Sequence, residues 1–361
     1  MDRVRRDTDE AVLHALIDAP RLTRADLATA VSISKPTASE SVRRLTEAGL
    51  IVEAGLKEGG RGRVGVYYRL APDAGLALAV SAGPDGVVAE CLDPRGELRH
   101  RAERQVGATV SPEALREALT DVITACESAV GHPVPTRVFS VADPVERDAA
   151  RLVHLSRSPF VTGEAELGDL VGPDGVVDND VHWAALAEVR AGAAASFVHV
   201  YLGPGLGAAV VDAGRIVTGS RGLAGEIGHA VTVGPGGRAV LLLDALEAMG
   251  LLVTGGNAVD VPRLRSEWEA GRHRHDLPRV LAGALATVSA MLEPAEVVLD
   301  GPWSDLDALD TEVTRALSTL APHHVILRRC RIPDSSRTGV RHAAVERGIS
   351  RLVALVPAAG T

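Results

Sequence analysis

The pattern of the chain changes at Ala71-Pro-Asp73. Before that point lie three short helical segments and two short strands around a loop rich in Gly and Arg. After it, short aliphatic strands alternate with Ala-rich helices. A chain of 361 residues is more than one compact core usually holds, so the change reads as a domain boundary between residues 1–71 and 72–361. Charge divides at the same place: residues 1–71 hold 12 Lys/Arg against 10 Asp/Glu, and the remainder holds 26 against 37. A mildly basic head on an acidic body directs attention to DNA at the N-terminal end. Aromatic residues make up only 2%, so the core must rest on Ala, Val and Leu, and base-stacking platforms for single strands are disfavoured. Cys91, Cys126 and Cys330 stand far apart without a CxxC pair. Three isolated buried thiols are expected, not a disulfide framework or thiolate zinc site. No apolar run approaches the roughly 18 to 20 residues that span a bilayer, and the charged start lacks the apolar stretch of a signal peptide. A cytoplasmic protein with no membrane partner is the expectation.

In the head, DEAVLHALIDA at 9–19 places Ala11, Val12, Ala15, Leu16 and Ala19 at helical spacing before Pro20. A second helix is marked by a capping box, Thr23 with Asp26 three residues on. A third starts at Ser34-Lys-Pro-Thr37, where Pro36 in the first turn loses no backbone donor, and turns Ala38, Val42 and Leu45 inward. Its exposed face carries Lys35, Thr37, Ser39, Glu40 and Arg43. Two short helices joined by a tight turn, the second with small polar and basic residues at its start, form the helix-turn-helix pattern. Strands at 49–53 and 64–70 around Glu58-Gly-Gly-Arg-Gly-Arg63 add a wing whose Arg61 and Arg63 suit a phosphate or the minor groove. Ser34, Lys35, Thr37, Ser39, Arg43, Arg61 and Arg63 are the expected DNA-binding residues.

From Gly75 onward, strands at 76–80, 86–92 and 97–99, a helix at 111–130 with Ser111 as cap, and strands at 196–202, 208–211 and 214–217 predict two mixed α/β lobes. A ligand cleft between lobes is the natural site. The runs Gly203-Pro-Gly-Leu-Gly207, Val211-Asp-Ala-Gly-Arg-Ile216 and Gly219-Ser-Arg-Gly-Leu-Ala-Gly-Glu-Ile-Gly-His229, preceded by Asn179-Asp180, resemble the ROK family of sugar kinases and sugar-responsive repressors. A winged helix followed by this domain is similar to the repressor branch. The resemblance implies an actin-like, sugar-kinase fold of two lobes, with a sugar between them and a homodimeric or tetrameric assembly. Lobe one is placed at about 72–183 plus a C-terminal helix at about 337–355, and lobe two at about 184–336.

The resemblance also implies roles. Asn179 and Asp180 match the pair that contacts sugar hydroxyls, the Asp as general base on the attacking hydroxyl; locally, an Asn-Asp turn is the plain alternative. Glu226 and His229 match a sugar-contacting Glu and a His that bridges sugar and metal sites, and Glu247 a further sugar-contacting Glu. The family's cysteine-rich zinc loop corresponds here to Gly234–Glu247 with no Cys. A structural zinc needs about four N or S ligands, so no metal is expected, and Leu241, Leu242 and Leu243 suggest aliphatic packing in its place. Trp183, where the family has small or amide residues, either narrows the sugar site or packs.

The nucleotide half departs from the family. Ser81-Ala-Gly-Pro-Asp85 stands for a phosphate loop whose first residue is a metal-positioning Asp, Pro84 removes an amide donor, Gly203-Pro204-Gly205 loses a hydroxyl, and Asp300-Gly-Pro302 replaces a Gly-Gly. Phosphoryl transfer rests on positioned amides and metal, so the sequence suggests no enzyme activity and no cofactor. The leading expectation is a sugar-responsive regulator, a repressor by preference, that binds double-stranded operator DNA and a carbohydrate or sugar phosphate effector. The alternatives are an ATP-dependent sugar kinase with a DNA-binding head and an effector-independent DNA-binding regulator.

Overall fold

The computed structural model describes residues 2–57, 65–321 and 323–356, with side chains from residue 6. The head consists of helices Asp2–Asp18, Arg24–Ala30 and Lys35–Glu47 and a small sheet in the order Leu22–Thr23, Val66–Leu70, Ile51–Leu56. The first helix begins earlier than the apolar spacing indicates and ends, as expected, before Pro20. Thr23 and Asp26 form both bonds of the capping box, and the Ser34 side chain accepts from the Thr37 N–H at the start of the third helix. Helices one and three are tied by Arg44, whose guanidinium meets the buried Asp9 carboxylate at 2.7 Å. The loop carrying Arg61 and Arg63 lies outside the described residues.

Lobe one is built on a five-stranded sheet in the order Val176–Asn179, Thr136–Val141, Ala77–Gly83, Gly86–Leu92, Leu98–Arg104. The first three strands are parallel and the last two antiparallel. The helix Pro112–Val130, capped by Ser111 and closed by Gly131 in the left-handed region, covers one face with Leu115, Leu119, Val122 and Cys126. The C-terminal helix Ser335–Ala354 covers the other with Val340, Ala343 and Ala344. Lobe two carries the sheet Arg215–Val217, Leu206–Asp212, Phe197–Leu202, Glu296–Asp300, Ile326–Arg329, packed by helices Leu242–Ala248, Val261–Glu269, Asp276–Leu292 and Leu309–Leu317. Two of the three tryptophans, Trp268 and Trp303, are buried in this core. Of the cysteines, Cys91 and Cys126 are buried and Cys330 is half-buried.

The helix Asp180–Arg190, in which the expected lobe boundary falls, packs on both sheets. Trp183 joins the cluster of Ala77, Val138 and Val340, while Val181 and Ala185 join Phe197, Ala209 and Val298. Its contact with the C-terminal helix is close: a Cβ on Gly339 would lie 1.8 Å from the Trp183 carbonyl oxygen. Any side chain there would hold the two helices apart. The C-terminal helix also leaves its lobe, for Leu352 and Val356 are buried in the core of the head with Leu13, Leu16, Leu45 and Tyr68.

Candidate functional site

A cavity of about 380 Å³ opens where the two sheets present their strand ends. In register, Ala82, Val141 and Asn179 are neighbours across the three parallel strands. The residues at or just past those ends, among them Ser81, Asp143, Asn179 and Asp180, line the cavity. Lobe two contributes the loop with Pro204 and Gly205, the Gly225–Glu226 segment, and Asp300 with Gly301. Ligands in open α/β sheets gather at the carboxyl ends of parallel strands for this geometric reason.

Four of the five expected sugar residues come together here. Asn179 is the N-cap of the helix Asp180–Arg190: its Oδ1 accepts from the Val181 N–H at 2.9 Å and its Nδ2 donates to the Asp143 carbonyl at 3.0 Å. The capping turn and the cavity position therefore hold together, and one N–H of the amide is left for a ligand. Asp180 follows as the first helical residue. Burial pushes its carboxyl up to about 7; the Val181 N–H opposes this and the neighbouring Asp143 adds to it. Glu226 and His229 share one turn, a 3-10 helix over Ile227–His229, and both line the cavity. That turn lies against the strand Leu206–Asp212 through the Ala208 N–H to Gly225 carbonyl bond of 2.8 Å. Only glycine fits at 225: its φ is +102° and a Cβ would sit 1.8 Å from the Ala208 carbonyl oxygen. The Glu226 carboxyl is likewise pushed up to about 7 by burial, then by Asp143 and Asp180.

Glu247 is the exception. It does not line the cavity but stands at 60% exposure on the outer side of the helix Leu242–Ala248, held by Arg157 at 3.0 Å. The reason is local: Leu242, Leu243, Ala245 and Leu246 take the inward face of that short helix, leaving Glu247 outward. The preceding loop pairs as strands Val231–Val233 and Ala239–Leu241. It does not fit zinc, since it has no thiolate and His229 stands there as a lone nitrogen ligand. Trp183 packs instead of narrowing the site: it is buried and its Nε1 donates to the Phe139 carbonyl at 2.9 Å. Beside it His182 is buried with Nδ1 2.6 Å from an Asp178 oxygen. Burial opposes charge on His182, and Asp178 outweighs it, so its pKa is raised.

Sequence reasoning missed Asp143, Arg157, Tyr201 and Ser335, which also line the cavity, and took Asp300 only as part of the altered nucleotide-side loop. Asp143 is buried; its Oδ2 accepts from the Val161 N–H at 2.7 Å, and burial pushes its carboxyl up to about 6. The available signal was its place directly after a β-patterned run, at the same sheet edge as Asn179. Asp300 accepts from Ser335 Oγ at 2.5 Å and lies 3.2 Å from His199 Nε2.

On the head, Ser34, Lys35 and Thr37 are exposed and Ser39 is half-buried. Ser34 and Thr37 join through their hydroxyls at 2.7 Å. Arg43 is exposed but bracketed, its guanidinium 2.6 Å from both Glu40 and Glu47. Those two carboxylates also hold its pKa above the usual value. Arg21 and Arg24 lie over the rings of Tyr67 and Tyr68 at 4.4 and 5.1 Å, on the strand Val66–Leu70.

The model of the ROK family matches residues 77–239, and that of the winged helix-turn-helix DNA-binding domain matches residues 5–52. N-acetylmannosamine kinase of Escherichia coli O139:H28 (strain E24377A / ETEC) is 31% identical over 161 residues, 42% of this chain and 53% of the relative. The chain thus spans about half the length of the curated relatives it matches. Among solved structures, a ROK family transcriptional regulator, a homolog of the E. coli MLC protein, superposes with a TM-score of 0.63 at 17% identity, covering 97% of this chain and 99% of that one. A ROK hexokinase from Thermus thermophilus gives 0.57 at 22%, covering 74% and 97%. The kinase relatives overturn the expectation, drawn from the altered loops, that the chain is not an enzyme. The loops Ser81–Gly86 and Pro204–Gly205 still border the cavity, so a backbone still approaches a ligand there, although Pro84 and Pro204 offer no N–H. The chain carries a ROK family domain over residues 77–239, preceded by a winged helix-turn-helix DNA-binding domain over residues 5–52.

Proposed function

We propose that this protein is a transcription regulator whose affinity for double-stranded operator DNA responds to a carbohydrate held between the lobes. The observation that carries the reading is the path of the C-terminal helix. Its first turn borders the cavity through Ser335, Ser336 and Arg337, and its far end lies in the core of the head. A ligand that favours one lobe arrangement therefore acts on the seat of the DNA-binding domain, in proportion to its differential affinity for the two arrangements. Asn179, Asp180, Glu226 and His229 offer the donors and acceptors that fix sugar hydroxyls. Ser34, Lys35, Thr37 and Ser39 face the major groove, with Arg61 and Arg63 on phosphate or in the minor groove. A homodimer pairs two heads on a near-palindromic operator. The test selects DNA fragments with the full-length protein and measures affinity for the selected operator with and without each sugar. A sugar that binds should shift operator affinity at least about fivefold. Retention of no fragment above random DNA refutes the regulator, and indifference to a bound sugar transfers the reading to an effector-independent one.

A second reading is favoured by Asp180 and the kinase relatives. A carboxylate with a pKa of about 7 at the sugar side of the cavity suits a general base that takes a hydroxyl proton near neutral pH. ADP release from ATP with N-acetylmannosamine, lost in Asp180→Asn, supports a kinase; a silent wild type across hexoses and their N-acetyl derivatives removes it.

A further inference from the structure

The charges in the cavity are unevenly matched. Its two arginines are both engaged: Arg157 with Asp244 at 3.2 Å and Glu247 at 3.0 Å, and Arg337 with Asp334 at 2.7 Å. Asp300 has its own partners in His199 and Ser335. Asp85, on the turn between the strands Ala77–Gly83 and Gly86–Leu92, also lines the cavity. Asp143, Asp180 and Glu226 remain, close enough for Asp143 to raise both of the others and for Asp180 to raise Glu226, and among the described residues none of these three forms an ion pair with a Lys or Arg. The histidines around them offset the carboxyls only in part: His182 lowers Asp180 and Glu226, and His154 lowers Asp143, each by less than burial raises them. His182 gives Nδ1 to Asp178, which also holds Arg147 at 3.3 Å; His154 Nδ1 lies 3.1 Å from the Val161 carbonyl; His229 lines the cavity. Three carboxylates in a part-enclosed cavity repel an anion and attract a cation small enough to enter.

We infer that the cavity selects a sugar bearing a free, protonated amine, a hexosamine in preference to a neutral, N-acetylated or phosphorylated sugar, and that Asp143 is the residue that adds this preference. The inference rests on the reading that a carbohydrate occupies the cavity. An ammonium group placed among Asp143, Asp180 and Glu226 donates up to three charge-assisted hydrogen bonds, and the sugar hydroxyls are left to Asn179 and His229. An acetyl group removes the charge and adds bulk. A 6-phosphate brings two negative charges to a cavity whose arginines are already paired.

Isothermal titration of the full-length protein at pH 7 tests this, with glucosamine, mannosamine and galactosamine set against their N-acetyl forms, the parent hexoses and the 6-phosphates. At least one free hexosamine should bind ten times tighter than its hydroxyl and N-acetyl counterparts, and its 6-phosphate more weakly. Because the ammonium draws protons off the carboxyls, binding should release protons, read as a dependence of the heat on buffer ionisation that neutral sugars lack. Asp143→Asn keeps an acceptor for the Val161 N–H and should cut the preference about tenfold. Should that variant not fold, Glu226→Gln serves the same comparison. Equal or better binding of a neutral or N-acetylated sugar by the wild type overturns the amine preference and leaves the carbohydrate site standing, whereas a preference that survives both variants overturns the assignment of that preference to these carboxyls. Absence of binding by every sugar overturns both.

Discussion

Asp143, Asp180 and Glu226 each hold a proton to a higher pH in the folded protein than in an unfolded chain, up to about 6, 7 and 7. The sign of the consequence follows. Between about pH 4, where the unfolded carboxyls ionise, and pH 7, the folded form binds more protons than the unfolded one, so stability falls as pH rises through that window. Carboxyls held low by an arginine, such as Glu296 beside Arg328, lose their stabilising effect only as pH falls below the usual carboxyl range. The ligand-free protein should therefore melt at a higher temperature at pH 5.5 than at pH 7.5, with each group bounded at about 1.4 kcal/mol per pH unit. Glu226→Gln should flatten the slope; a melting temperature that rises from pH 5.5 to 7.5 contradicts the burial of these carboxyls. The site residues legible in the sequence were those carried by the ROK motifs, and local rules agree with where they sit. Asn179 caps the helix it precedes, and Glu226 and His229 share one turn. Asp143 reaches the same cavity because a parallel strand ends beside Asn179, a long-range pairing that the β-patterned run before Asp143 does not announce. Glu247 was misplaced because four apolar neighbours settle which way a seven-residue helix faces.

The elements themselves were legible where caps and periodicity agree. Ser111, Thr23 and Ser34 each begin the helix that the pattern assigns to them, whereas strand ends moved by a few residues because tertiary pairing, not propensity, sets them. What spacing does not reveal is which charges on a helix are free. On the third helix of the head, Lys35 stands exposed while Arg43 is bracketed by Glu40 and Glu47. A phosphate must displace two carboxylates to reach Arg43, so its charge contributes little new attraction. Lys35→Ala should lower the slope of log affinity against log salt by about one on any DNA, and Arg43→Ala should change it by much less. Equal slopes for the two variants contradict this division. Between helices, Gly339→Ala forces a Cβ onto the Trp183 carbonyl, and strain of this kind costs about 1–3 kcal/mol. A fall in the urea midpoint checks it, since an exposed helical Gly→Ala change would raise stability instead.

The whole molecule joins its cavity to its head through one element. The C-terminal helix has 20 residues, about 30 Å at 1.5 Å per residue. At its start Ser335 bonds Asp300 and Ser336 Oγ lies 3.0 Å from Ser140 Oγ, so both sheets hold it at the cavity. At its end Leu352 is fully buried among residues of the head. The head's core is thus incomplete without the last turn of a helix that belongs to the large domain, a dependence invisible in a sequence where the two segments lie some 300 positions apart. Leu352→Ala leaves the cavity untouched and removes a buried side chain at the far end, for about 2–5 kcal/mol. Three readouts should separate. The thermal shift of the large domain with its sugar should persist, the head should melt earlier, and the factor by which the sugar changes operator affinity should fall toward one. Coupling is reciprocal, so operator DNA should likewise lose its effect on sugar affinity in the same variant. If Leu352→Ala binds operator with the wild-type response to sugar, the two sites communicate by a route other than this helix, such as a shift between subunits.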